Sequence, residues 1–192
     1  MKKLLIIASL FLAGTAVNAQ WYMGASINLS ASQTKTDKGD KKTSDASFGA
    51  YADIGYRLTD EWDIGIDYGG TTSVHKTFTS DKTDKTNTAN WLLSPYVRYS
   101  FLQAGNFELL GKGSLILEGS KTYTLIGLQA VPVLAYNLNE RITLQANLNF
   151  FSFGISNNKV KDGDATINFN LGGNTNNVAT LGGLTIGFLY KF

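Results

Sequence analysis

The sequence predicts an all-β fold, an eight-stranded antiparallel up-and-down transmembrane β-barrel, on three observations. Apolar and polar residues alternate with period two in eight segments, connections alternate between short turns and long polar stretches, and the charges within the segments share one face. Period two is the signature of strands with unlike faces. Short turns on one rim and long loops on the other describe a barrel whose turns face the periplasm, an asymmetry that a soluble sandwich has no reason to keep. A lysine or arginine facing lipid near the midplane costs ~2 to 4 kcal/mol, so a bilayer confines charge to the opposite face.

The chain opens on a targeting segment. Met1-Lys2-Lys3 is cationic, and Val17-Asn18-Ala19 matches a small-residue cleavage site. Between them the apolar stretch from Leu4 to Val17 falls short of the ~20 residues that a spanning helix needs. Residues 1–19 therefore read as a secretory signal peptide cut between Ala19 and Gln20, with residues 20–192 as the barrel domain. An uncleaved anchor helix is the competing reading, and its length opposes it. Loss of Lys2 and Lys3 takes the formal charge from +2 to zero.

The strands follow in order. The first sets Trp21, Met23, Ala25, Ile27 and Leu29 against Tyr22, Gly24, Ser26, Asn28 and Ser30. In the second, Ala46, Phe48, Ala50, Ala52, Ile54, Tyr56 and Leu58 alternate with Ser47, Gly49, Tyr51, Asp53, Gly55 and Arg57, before a turn at Thr59-Asp60-Glu61. The third runs Trp62, Ile64, Ile66, Tyr68 against Asp63, Gly65, Asp67, Gly69. The fourth runs Trp91, Leu93, Val97, Tyr99, Phe101 against Ser94, Tyr96, Arg98, Ser100, with a turn at 103–106.

The fifth places Phe107, Leu109, Leu115 and Leu117 opposite Glu108, Lys112, Ser114 and Glu118. The sixth, about 123–138, is apolar on both faces, with Ile126, Leu128, Leu134 and Tyr136 assigned outward. After Asn139-Glu140-Arg141 the seventh sets Ile142, Leu144, Ala146, Leu148 and Phe150 against Thr143, Gln145, Asn147 and Asn149. The eighth carries Leu184, Ile186, Phe188, Tyr190 and Phe192 on one face. Long polar connections are expected at 33–45, 73–89 and 154–177, and aromatics gather near both strand ends as two interfacial girdles. Pro95 and Pro132 fall inside spanning strands, where a bulge or local break is expected at each.

Composition narrows the function classes. With no cysteine there is no disulfide framework, thiolate nucleophile or sulfur-ligated metal site. A formal charge of +2 is too small for a nucleic-acid surface. The twenty glycines, two prolines and frequent aromatics point to strands and tight turns, and a secreted β-sandwich is the alternative that alternation alone leaves open.

Taken together, the leader, the eight alternating segments and the terminal run Leu184-Thr185-Ile186-Gly187-Phe188-Leu189-Tyr190-Lys191-Phe192 resemble the small outer-membrane β-barrel proteins, the family of OmpX and the membrane domain of OmpA. That resemblance implies a Gram-negative outer membrane rich in lipopolysaccharide. It also implies that Phe188, Tyr190 and Phe192 form the C-terminal signal read by the outer-membrane assembly machinery.

An eight-stranded barrel is filled by its own side chains, so no wide channel is expected. A turn centred on Asp60 sets Arg57 opposite Asp63 and Asp53 opposite Asp67, and facing aspartates need cations beside them. Asp53, Arg57, Asp63, Asp67, Arg98, Glu108 and Lys112 are therefore expected to form an interior ion-pair network, read as a polar plug or, more sharply, as a gated ion path.

The lone His75 follows Ser73 at strand spacing, but Asp67 lies about 26 Å down the strand at ~3.3 Å per residue, leaving Glu118 as the only other acid considered. His75 is thus expected to be a solvated loop residue rather than part of a lipid A-modifying site. Asp162-Gly163 predicts a tight hairpin turn before Ala165, Ile167, Phe169 and Leu171, then a break at Gly172-Gly173-Asn174. Such an exposed edge suits pairing with a host or cell-surface protein. Asp162 and Asp164 lack the other ligands of a calcium loop, so no metal or cofactor is expected. The sequence thus predicts a non-catalytic barrel serving envelope integrity or surface interaction, with a narrow pore as the alternative.

Overall fold

Every backbone amide in hydrocarbon needs a partner, and the chain supplies partners by closing its sheet. A computed structural model describes residues 20–35, 42–79, 82–149, 153–160, 165–171 and 184–192. The leader, the Asp162-Gly163 turn, Phe150 and the Gly172-Gly173-Asn174 break lie outside the described residues. The strands are β1 (Gln20–Lys35), β2 (Lys42–Arg57), β3 (Trp62–Thr79), β4 (Lys82–Ala104), β5 (Phe107–Gly119), β6 (Tyr123–Asn137), β7 (Ile142–Leu148), β8 (Phe153–Val160), β9 (Ala165–Leu171) and β10 (Leu184–Lys191).

Consecutive strands from β1 to β6 pair antiparallel. β6 then pairs with β7 through Val133–Asn137 and with β8 through Tyr123–Ala130, so β7 and β8 form one wall. β9 pairs with β8 and β10 with β7, forming the next wall. The seam closes where β10 pairs with β1 from Tyr22↔Lys191 to Asn28↔Thr185, which makes a closed barrel of eight walls.

Two of the expected long loops are instead strand. β1 and β2 remain paired up to Lys35↔Lys42, and β3 and β4 up to Thr79↔Lys82. Beyond the bilayer a ladder needs no apolar face, and the threonines of Thr71–Thr88 favour extended backbone, so polarity there did not mean loop. A β8–β9 hairpin likewise occupies part of the third expected loop, in keeping with the alternation of Ala165, Ile167, Phe169 and Leu171.

Both prolines mark ladder defects of different kinds. Around Pro132, which has no N–H, the β6 partner changes from Asn147 on β7, opposite Val133, to Phe153 on β8, opposite Ala130. At Pro95 the β4–β5 ladder skips from Leu93↔Leu117 to Tyr96↔Ser114 without a change of register. The register shift of that pair falls instead between Ser100 and Leu102, where Phe101 is the extra residue.

Burial is inverted relative to a soluble domain. Asp53 and Asp63 are each only 1% exposed, whereas Tyr68 is 62% and Phe101 66% exposed. The ambiguous sixth strand resolves the same way: Ile126, Leu128 and Leu134 face out, and Val131, Val133 and Ala135 join Leu110 in a small apolar wall inside. Strand-end aromatics pair across the ladder on the outside, as Trp21 with Tyr56 and Phe107 with Tyr136.

The turn rim is held by local chemistry. Thr59 Oγ1 accepts from the Glu61 and Trp62 amides, and Asn139 Oδ1 accepts from those of Arg141 and Ile142. Gly105, at φ 59°, takes the left-handed conformation that a two-residue turn between Ala104 and Phe107 demands.

Inside, glycine makes room for tyrosine. Gly55 and Gly65 face each other across β2 and β3, and a Cβ at Gly65 would lie 2.3 Å from the Tyr96 hydroxyl and 2.8 Å from the Ile54 carbonyl. Gly65→Val is expected to lower stability by about 1 to 3 kcal/mol through overpacking, read from urea unfolding in lipid vesicles. An unchanged midpoint would show that Tyr96 is not packed on this floor.

Candidate functional site: a polar layer beneath an outward cavity

The lumen is crossed by a layer whose charged members come from the four strands β2 to β5. Hairpin register places Arg57 opposite Asp63 and Asp53 opposite Asp67. Arg57 Nε donates to Asp63 Oδ1 at 2.9 Å, and its Nη2 lies 3.4 Å from Glu108 Oε1. Arg98 reaches the other Asp63 oxygen at 3.1 Å and donates through Nη1 to Gln145 Oε1 at 3.0 Å. Two arginines thus share one aspartate, and Glu108 supplies the second negative charge.

Above this group the pattern changes from arginine to tyrosine and lysine. The Tyr96 hydroxyl donates to Asp53 Oδ1 at 2.5 Å and meets the Tyr22 hydroxyl at 2.9 Å. Lys112 Nζ donates to Asp67 Oδ2 at 2.5 Å and sits 4.1 Å from the centre of the Tyr96 ring. The Arg98 guanidinium lies over the Tyr22 and Tyr96 rings at 4.9 and 5.2 Å. Asp53 and Asp67 avoid mutual repulsion because each has its own donor. Tyr22, Tyr96 and Gln145 were not among the candidates from the sequence, since nothing local marks a lumen-facing tyrosine as a hydrogen-bond hub.

The layer divides the lumen unequally. Toward the turn rim, beside Arg57, Glu108 and Lys191, remains a void of about 20 Å³, room for a single water. On the loop side a cavity of about 320 Å³ rests on Asp67, Lys112 and Ser94 and is walled by Ser26, Asn28, Tyr51 and Asn147. Its lining of hydroxyls and amides suits a small polar guest from outside.

The extended ribbons carry a second arrangement. Register sets Asp45 opposite His75, and the His75 Nδ1 pairs with the Asp45 carboxylate while Nε2 lies 3.2 Å from the Thr77 hydroxyl. This corrects the sequence expectation, in which Asp67 and Glu118 were the only acids weighed and Ser73 the hydroxyl. Asp45 was assigned to a loop, so its register with His75 was invisible. Glu118 is engaged elsewhere, accepting from Tyr123 at 2.5 Å and Asn90 at 3.1 Å. On the last strand Phe188 and Phe192 are exposed on the outer wall, and Tyr190 packs edge-on against Phe192.

A closed barrel with an apolar outside and ion-paired inside is the architecture of a transmembrane β-barrel. Residues 4–192 match the family described as outer membrane protein beta-barrel domain, and the chain belongs to that family. The family implies the outer membrane of a Gram-negative envelope. No curated protein matches the sequence significantly.

Among solved structures, Neisserial surface protein A (NspA) superposes with a TM-score of 0.51 at 17% identity, covering 91% of this chain and 99% of that one. The outer membrane protein OprG from Pseudomonas aeruginosa gives a TM-score of 0.51 at 12% identity, covering 91% and 95%. At these identities the likeness is one of fold.

Removing one member of the layer strands its partner. Arg98→Ala is expected to destabilise by about 3 to 5 kcal/mol, because it leaves Asp63 short of a cation, and Asp63→Asn in the same chain should recover part of that loss. Unfolding of the two single variants and the double variant in vesicles measures it, and strictly additive losses would show that the pair is uncoupled.

Proposed function

We propose that this outer-membrane barrel is a non-catalytic, non-conducting surface protein that acts through its loop-side sheet, in surface interaction or envelope integrity. The observation that carries the reading is the continuation of β2, β3 and β4 as a paired, polar sheet beyond the apolar band, up to Lys42, Thr79 and Lys82. A protein needing only to span the bilayer gains nothing from this extension. Support for a closed lumen comes from the layer of Arg57, Asp63, Arg98 and Glu108, which leaves about 20 Å³ on its turn-rim side.

The outward cavity favours a second reading, a narrow pore for small polar solutes, since solutes could enter as far as Lys112. Catalysis is not part of the proposal. The side chains of His75 and Asp45 are 51% and 52% exposed, so water would screen any developing charge that they might otherwise stabilise. The partners that fit are outer-leaflet lipid including lipopolysaccharide, the assembly machinery at Phe188, Tyr190 and Phe192, and a host or cell-surface protein at the outward sheet. In that last role β9 supports strand addition, since among the described residues it pairs only with β8.

Planar-bilayer recording of the purified chain is expected to show no steady current, and steady current lost in Arg98→Ala would favour the pore instead. Cells expressing a chain that lacks residues 161–172 should lose adhesion or serum resistance while keeping normal barrel assembly. Unchanged values for both properties would remove the surface-interaction reading.

A further inference from the structure

We propose that the outer wall of β1–β4, at the level where the bilayer ends, binds a phosphorylated acyl lipid of the outer leaflet, the lipid A class. In this site Lys76 and Lys85 hold the phosphate, and the depression beneath them takes an acyl chain. The proposal rests on the reading that the long connections face outward.

Two opposed cations come first. Lys76 and Lys85 are directly opposite one another in the β3–β4 ladder, and both are exposed. Like charges at such positions repel and destabilise the pair unless an anion lies between them. Neither lysine forms an ion pair with a described residue. Among the described residues, the acids of the same ribbons are on the other side: Asp45 is in register with His75, and Asp84 with Thr77, on the lumen-facing parity shared with Asp53 and Asp67. Ser44 and Gln33 continue the lysine row across β2 and β1, so hydroxyl and amide donors stand beside the two ammonium groups.

The apolar half lies directly below. Leu29, Ala31, Ala46, Phe48, Thr72 and Val74 line a shallow depression of about 630 Å³ on the outer wall. Its hollow exists because Ala31 and Ala46 are opposed across β1 and β2, between the larger Leu29, Phe48 and Val74. Lys76 is four residues beyond Thr72 on β3, about 13 Å at ~3.3 Å per residue. With strands tilted by ~40°, that places its Cα about 10 Å above that of Thr72, toward the headgroup side of the ~25 Å apolar band. A ligand with an apolar chain below and a phosphate above matches this order, and charge complementarity selects it over a neutral lipid.

The test is native mass spectrometry of the purified full chain in detergent micelles, titrated with bisphosphorylated lipid A, its dephosphorylated counterpart and inorganic phosphate. Bisphosphorylated lipid A is expected to bind, with the double variant Lys76→Gln/Lys85→Gln weakening Kd by about tenfold or more. Ala46→Phe, which fills the depression, should weaken it too, and Lys121→Gln at the exposed turn before β6 should not. Heat-modifiable gel migration confirms that each variant is folded.

Equal affinity for the dephosphorylated lipid, an unchanged Kd in the double lysine variant, or inorganic phosphate bound as tightly as the lipid would each overturn the site. Micelles impose no orientation, so a binding failure indicts the site alone. Labelling of Thr83→Cys on intact cells tests the outward orientation separately.

Discussion

Hydrocarbon offers a peptide group no hydrogen-bonding partner, and the rest of this structure follows from that constraint. The sheet must close on itself, as β10 does against β1, and every strand of a closed sheet presents one face to lipid and the other to the lumen. With eight walls the lumen is narrow, so polar residues turned inward are pressed together and stripped of water. Charge in such a space persists only when paired, and the inward face of each strand is therefore committed to its neighbours across the barrel.

This explains why the interior is built in levels. Near the turn rim, where β2–β3 and β4–β5 are joined by short connections, rigid register brings Arg57, Asp63, Arg98 and Glu108 within ion-pair reach. One level up, Gly55 and Gly65 give the space in which Tyr22 and Tyr96 meet, and those rings in turn seat Arg98 and Lys112. Beyond Lys112 serine, asparagine and threonine make up much of the lining, and the lumen opens.

The ladder defects lie at two levels. The register shift at Phe101 sits near the turn rim, whereas the exchange of β7 for β8 opposite Pro132 comes higher. Above the bilayer, where water can satisfy the backbone, the walls part into ribbons and hairpins of unequal height. There the confinement of charge to the lumen ends: Asp45 and Asp84 keep the luminal parity, while Lys76 and Lys85 face outward.

Sequence alone determined the strand walls, their inward and outward faces and the hairpin register around Asp60, because each depends on periods and turn lengths read along the chain. It could not separate strand from loop where both are polar: Asp45 and His75 stood in two supposed loops and are ladder partners. Nor could it show that Tyr96 reaches Asp53 or that Gln145 meets Arg98. Those contacts join residues 43 and 47 positions apart, brought together by the tilt and stagger at which the barrel closes. Only the tertiary structure decides them, because the stagger belongs to the whole ring of strands and no single segment encodes it.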